Sequence, residues 1–527
     1  MPTRVTESRG HHYLQEVKSV WDPKKRRSRP IVLAHLGPCD EHGNLLGPPK
    51  TRIEGVHSAF PVGPLAILYA ASRELQVRER VTKVLGKDLE ARLFVALSLN
   101  QATDRLPLYR VPSWVQASPL LRWESLEADQ VDRSALYRAL NSVCHFTVGQ
   151  GWEDRGLPLQ SELTQAWRQG SREPAGVYYD ITKQPCYGDA NPFVQVGHDS
   201  NGGISPVVGF GMVVSREHHH PILCRPLPGA QSDARSVPEL LEFLQGEKLR
   251  GLTMIMDRGM TSKDNVERIV GAGYHVLGMV RGWNAATQKL ASHWSGDELE
   301  RSEHVVGTSH DSSVYARAIT APLLGRRKMR VAVVENLWKK AAEREGRELA
   351  LGELEGGPVP SSRMKELRKE LKGLLVTSRG RRGVAVNWAA VARDRKLDGR
   401  FLLYGTDLTR NGPQMYRDYF RRDAVEKVFR VGKGELSLGP VRFWGKNRTE
   451  AYASLFYTAY LLWSWAERRL QEKFPRMTLV EAFRSLERVT WVRFGSGKLV
   501  RDWTSRLTGE QEEILKACRA IQYLPGY

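Results

Sequence analysis

The spacing of apolar and polar positions divides this chain into stretches of different character. Over residues 1–60 apolar positions come in short runs between turn residues. Ile31–Gly37 (IVLAHLG) has the composition of a strand and Asp40–Asn44 (DEHGN) that of a turn, which predicts a β-rich segment. Residues 61–170 instead repeat apolar side chains every three or four positions, as in PLAILYAASRELQVRERVTKVLG, which predicts helices. No short helix-turn-helix signature stands out among them.

From about residue 175 strand character returns. Gly176–Lys183 (GVYYDITK), Ile204–Ser215 (ISPVVGFGMVVS) and the run ILCRPL from Ile222 read as three strands, with Arg216–Pro221 (REHHHP) as the turn before the last. A helix (SVPELLEFLQG), a buried run Leu252–Met260 (LTMIMDRGM), a second helix (SKDNVERIVGAG) and a strand Tyr274–Val280 complete the order β-β-β-α-β-α-β. Ser262 suits the N-cap of the second helix, and Gly271 or Gly273 its stop. Residues 286–400 differ: two charged helical stretches flank the break Gly356–Ser362 (GGPVPSS), which predicts a helical hairpin or projecting arm. Arg400–Asp407 restores a strand, and a long helix is expected to begin near Gln414. Ala451–Ala466 (AYASLFYTAYLLWSWA) reads as a buried helix, and residues 471–527 as a helical, basic tail.

Composition narrows the class. With 41% hydrophobic and 26% charged residues over 527 positions, the chain is globular and long enough for more than one core. The 79 Lys and Arg against 59 Asp and Glu leave +20, the footprint of a protein that meets a polyanion; excess surface lysine and arginine is the bland alternative. The basic run Lys24–Arg29 (KKRRSR) fits either a DNA contact or a solvated strand edge. Five scattered cysteines without a CxxC pair argue against a zinc knuckle or disulfide framework and for a reducing compartment. The first residues hold no apolar signal-like run, and Ala451–Ala466 is shorter than the ~20 residues a membrane helix needs, so a cytoplasmic protein without membrane attachment is expected. There is no glycine-rich phosphate loop to indicate ATP.

Two acids carry candidate chemistry. Asp180 follows Val177, Tyr178 and Tyr179, and Asp257 follows Thr253–Met256, so each closes a strand-like run. If those strands are neighbours, the carboxylates converge as hard oxygen ligands suited to Mg²⁺ or Mn²⁺. Two such ions can activate an attacking oxygen and stabilise a leaving one in phosphoryl displacement. The alternative is that each aspartate merely caps the element after its strand. A third acid, Glu426, lies with Tyr419, Arg422 and Lys433 at offsets 0, 3, 7 and 14. At ~100° per residue these fall within about 60° on one helix face. That face would suit a metal-held phosphate, although a solvated face has the same spacing.

The runs YYDITK, MDRGMTSKDN and Y-x2-R-x3-E-x6-K, in that order, resemble DDE transposases of the insertion-sequence-four superfamily. Gly197–Val214, LPGAQSDARSVPELLEFL and DGRFLLYGTD extend the resemblance over most of the chain, and VRFWGKNRTEAYASLFYTAYLLW is similar to the insertion-sequence-1634 branch. The resemblance implies an α/β fold: a ribonuclease-H-like catalytic domain, a mixed sheet flanked by helices, over residues 171–285 and 401–470, interrupted by an insertion domain at 286–400. Residues 61–170 would be a helical region able to bind DNA ends.

It further implies Asp180, Asp257 and Glu426 as catalytic residues holding two Mg²⁺ ions, for which Mn²⁺ would substitute. Tyr419, Arg422, Lys433, Thr182 and Arg258 would contact DNA, with His198 near the site. The partners would be double-stranded transposon ends and target DNA, held by a homodimer in a nucleoid-associated synaptic complex. The element would move by cut and paste: water frees a 3′-hydroxyl end, which then attacks target DNA. Ile181 and Lys183 depart from the threonine and serine common in the family. A catalytically decayed DNA-binding repressor and a structure-selective nuclease of the same fold stay open as alternatives. His218, His219 and His220 read as an exposed hairpin turn rather than a metal site, and tryptophans such as Trp283 and Trp444 as packing.

Overall fold

The structure, a computed structural model, describes residues 3–22, 27–47, 56–147, 151–169, 173–187, 191–199, 203–325, 327–377, 384–421, 426, 428–431, 434–436, 438–439, 441, 445–496 and 499–527. Trp444 lies outside them. The first strands, β1 (Thr3–Ser8), β2 (His11–Asp22) and β3 (Arg27–Cys39), form an antiparallel meander around a small core of Leu14, Leu36 and Cys39. A fourth strand, β4 (Val56–Pro61), leaves that sheet. Helices fill most of Gly63–Gln169, interrupted by the hairpin of β5 (Cys144–Thr147) and β6 (Gly151–Asp154). Within this region the helix Asp88–Ala102 is buried on most of its surface, because it packs on the helix Arg133–Val143 and on the helix Lys446–Lys473.

The next strands are β7 (Gly176–Pro185), β8 (Gln195–His198), β9 (Ile204–Ser215), β10 (Pro221–Pro228), β11 (Thr253–Met256) and β12 (His275–Met279). Helices Val237–Gly246 and Lys263–Gly271 connect the later ones, so the expected β-β-β-α-β-α-β order is met with β8 added. Ser262 caps the second helix by accepting from the amide of Asn265, and Gly273 follows it with φ +84. Antiparallel pairing joins β10, β9 and β7, whereas β7, β11 and β12 run parallel.

Residues 286–400 contribute β13 (Val305–Ser309), β14 (Ser312–Leu323) and β15 (Arg327–Asn336), then β16 (Leu375–Thr377) and β17 (Val384–Val386). β18 (Arg400–Gly405) pairs with both β12 and β15. One mixed sheet of ten strands therefore runs β10-β9-β7-β11-β12-β18-β15-β14-β13, with β8 on β9. The insertion domain expected at 286–400 thus lends three strands to the main sheet. The charged hairpin is present as helices Leu337–Glu355 and Ser361–Glu370, which with the helix Trp388–Asp394 enclose their own core of Leu351, Leu367, Leu371 and Val391.

Every residue from Thr449 to Ala466 of the helix Lys446–Lys473 is buried, as its all-round apolar sequence requires. Among the described residues no helix is long and apolar enough to cross a membrane. The expected helical tail over 471–527 is corrected. It contains β19 (Thr490–Ser496) and β20 (Leu499–Thr504), and β19 also pairs with β4 to bury Trp491 and Phe494. Its TWVRF run has strand chemistry, but the strand that pairs with it lies near the other end of the sequence. All five cysteines are buried.

Candidate active site

Strand pairing decides which acids meet. The parallel register of β7 and β11 sets Gly176 beside Thr253 and ends with Tyr179 beside Met256. The next residues on the two strands are Asp180 and Asp257. At a spacing of ~4.8 Å between strands, they leave the sheet side by side and on one face. Asp180 is not the last residue of its strand, as expected; β7 continues to Pro185 on β9. It is β11 that stops, and its departure opens the space beside Asp180. Both aspartates are held alike: the amide of Ile181 donates to Asp180 Oδ1 at 2.9 Å, and that of Arg258 to Asp257 Oδ1 at 2.7 Å. Each is half-buried.

The loop after Asp257 is pinned from several sides. The amide of Met260 donates to the Asp257 carbonyl at 3.0 Å, and Arg281 Nε to the Arg258 carbonyl at 2.6 Å. Asn265, buried at 5% exposure, donates through Nδ2 to the carbonyls of Ala234 and Met260, both at 2.8 Å. Those bonds clamp the turn Asp233–Ser236 against the loop. A carbon added at Gly259 would meet Asp233 Oδ2 at 3.3 Å and Arg281 Nη2 at 3.6 Å, so this glycine lets a third carboxylate come close. Burial pushes the Asp233 carboxyl up; Asp257 adds to that, while Lys183 and Arg281 pull it down. Asp233 lies in a run that carries the family resemblance, yet no periodicity pointed to it. Only the fold brings it beside Asp257.

Asp180 shares a face of β7 with Tyr178, whose ring sits 6.5 Å from that of His219. His219 in turn lines one cavity with Val428 and Val431, and Glu426 is exposed. The single helix face expected for the four-residue signature is corrected: the helix is Gly412–Phe420, with Arg421 as its C-cap. Arg422 and Lys433 lie outside the described residues.

Two of the expected DNA contacts are interior. Tyr419 is 5% exposed and lies near Tyr404, whose hydroxyl donates to the Thr261 carbonyl. Thr182 is 5% exposed and accepts from Gln184 Nε2 at 3.2 Å. Arg258 is exposed next to Asp257, and His198 is exposed on β8. The histidine turn is also corrected: His218 and His219 are half-buried and His220 is fully buried, its Nδ1 3.0 Å from Ser464 Oγ. Bulky neighbours, Trp167 and Trp465, close over it. Trp283 is exposed rather than packed.

The donor chemistry of the aspartate pair fits two ligands of a hard divalent ion. Among the described residues no three His, Cys, Asp or Glu side chains are grouped closely enough to hold a metal ion. With Arg258 and Arg281 at its rim, the site joins acids that bind cations to cations that bind phosphate.

The family described as Transposase DDE domain matches residues 197–462, a span that includes Asp257 and Glu426 and begins after Asp180. No curated protein sequence matches the chain. Among solved structures, a cryo-EM structure of the piggyBac transposase synaptic complex with hairpin DNA is similar at 10% identity and a TM-score of 0.39, over 80% of this chain and 79% of that one. A likeness that faint carries no argument about the site.

Proposed function

The chain belongs to the transposase DDE domain family, and from that premise we propose that it cleaves the ends of its own insertion sequence and joins their 3′-hydroxyls to target DNA. The observation that carries this reading is the β7–β11 register, which makes Asp180 and Asp257 lateral neighbours. The strand arrangement supports a ribonuclease-H-like core. Two antiparallel strands lie on one side of β7 and two parallel strands on the other, with an acid on the central strand and another just after its parallel neighbour. The closing segment from Val441 supports the insertion-sequence-1634 branch.

In this reading Asp180, Asp257 and Glu426 would hold divalent cations, Mg²⁺ or Mn²⁺, which when bound would lower the pKa of a water and stabilise a leaving oxygen. The amides of Ile181 and Arg258 fix the carboxylate rotamers, so the ligand geometry is set before substrate arrives. Arg258 and Arg281 steer the scissile phosphate toward the pair, and Arg422 and Lys433 hold the flanking strand. A homodimer would bring two transposon ends together. No protein nucleophile is required, since water and then the freed 3′-hydroxyl attack phosphorus.

The test uses labelled DNA carrying the flanks of the gene, incubated with protein and Mg²⁺ beside an Asp257→Ala control. Strand-specific cuts at a repeat boundary, absent from the variant while binding persists, are expected. Metal-dependent cleavage retained in Asp257→Ala would overturn the assignment. Binding without cleavage in both proteins would favour a repressor that has lost catalysis.

A further inference from the structure

We propose that the ribbon formed by the distal halves of β2 and β3 is a second DNA-binding element, which inserts into a groove of duplex DNA away from the aspartate pair. The inference rests on the reading of the chain as a transposase. β1 covers β2 only from His11 to Glu16. Beyond that point the ribbon is two-stranded, pairing Val17 with Val32 through Asp22 with Arg27. Every residue from Arg27 to Leu33 is exposed.

An isolated two-stranded ribbon is marginal in water, and this one holds Trp21, Val32 and Leu33 at 60%, 42% and 43% exposure. Such a surface is made to be covered. Its charge selects the cover: residues 3–39 hold eight Lys and Arg against three Asp and Glu, and one of those acids, Glu16, is buried against Arg501. The pairing register sets Lys18 opposite Ile31 and Val20 opposite Arg29, so Lys18, Arg27 and Arg29 share one ribbon face. The opposite face carries Trp21, Ser28 and Val32.

Size agrees. About six residue pairs at ~3.3 Å span ~20 Å, and the major groove of B-DNA admits a two-stranded β-ribbon. A second copy of the chain is the less suitable occupant. Pro30 stands in the exposed half of β3 between Arg29 and Ile31, where a missing amide and nearby cations oppose edge-to-edge pairing.

The test measures binding of the full chain to a non-specific duplex of ~30 base pairs by fluorescence anisotropy, in EDTA and over a salt series, for wild type and the triple variant Lys18→Ala/Arg27→Ala/Arg29→Ala. Each lost phosphate contact removes ~0.9 from the slope of log K against log salt. The variant is therefore expected to show a slope shallower by about 2 to 3, with an unchanged unfolding midpoint. An unchanged slope and affinity in a folded variant overturns the ribbon while leaving the transposase reading intact. Failure of the wild type to bind any duplex overturns both. Loss of self-association on substituting Trp21→Ser and Val32→Ser, with DNA binding unaltered, also overturns it and assigns the ribbon to a second copy.

Discussion

Asn265→Ala tests whether the Asp257 loop is held by the clamp described above. Asn265 gives both hydrogens of its amide nitrogen to main-chain carbonyls, Ala234 and Met260, each at 2.8 Å, and the side chain is 5% exposed. The NH₂ group of Asn265 carries the two hydrogens that two carbonyl acceptors need. A typical hydrogen bond contributes ~1 kcal/mol net, and an orphaned buried acceptor costs ~1–3 kcal/mol. Losing both bonds should therefore cost ~2–4 kcal/mol. Alanine is the better helix former at this first-turn position and returns roughly 0.5 kcal/mol. We expect a net loss of ~2–3 kcal/mol in denaturant unfolding of the full chain. Cleavage by the folded fraction should fall at least ~10-fold, since ~1.4 kcal/mol of lost positioning in the transition state already gives that factor. Asn265→Asp keeps the shape, loses both donors and sets a carboxylate against two carbonyls, so it should be worse than alanine. The reasoning fails if Asn265→Ala stays within ~0.5 kcal/mol of wild type, or if the aspartate variant is no worse.

The other two predictions concern burial. Arg347, 7% exposed, bonds Asp398 at 2.7 and 2.5 Å and Asp394 at 3.0 Å. Arg347→Met leaves the buried Asp398 with only the exposed Arg344, its Nε 3.5 Å away, which should cost up to ~3 kcal/mol and expose the arm to limited proteolysis; Arg347→Met/Asp398→Leu should recover most of the resistance. Burial pushes the Glu124 carboxyl up to about 7, against the pull of Arg78 and Arg73. A carboxyl raised in the folded state costs nothing while both states are protonated, and its cost grows as pH rises from the ordinary range toward that value. Glu124→Gln should therefore stabilise the chain at pH 8 by up to ~3 kcal/mol and have little effect at pH 4, as read from unfolding midpoints across that range.

Much of the secondary structure was legible. The β-β-β-α-β-α-β order, the Ser262 cap, the charged hairpin and the buried helix through Ala451–Ala466 follow from spacing, capping chemistry and composition. Those signals are local, and the structure keeps them because packing agrees with them. Where local signals were extended, they failed. A helix face spanning Tyr419 to Lys433 assumed one unbroken helix, but it ends at Phe420. The triple histidine between two strands has turn chemistry, yet His220 is buried because the helix Lys446–Lys473 and Trp167 close over that turn.

The sequence by itself determined which residues could do chemistry: two aspartates near the ends of apolar runs, a third acid in a basic helical stretch, and an excess of positive charge. Tertiary structure decided which of them meet. The step that puts Asp180 beside Asp257 is a parallel register, and Asp233 reaches the same loop through Asn265. The strands β13 to β15 join the main sheet through β18, and β19 finds β4 across the whole chain. Periodicity reports the shape a segment takes and the face it buries; it carries no record of the distant segment that covers that face, because partners are chosen by complementary surfaces and hydrogen-bond edges that exist only once both have formed.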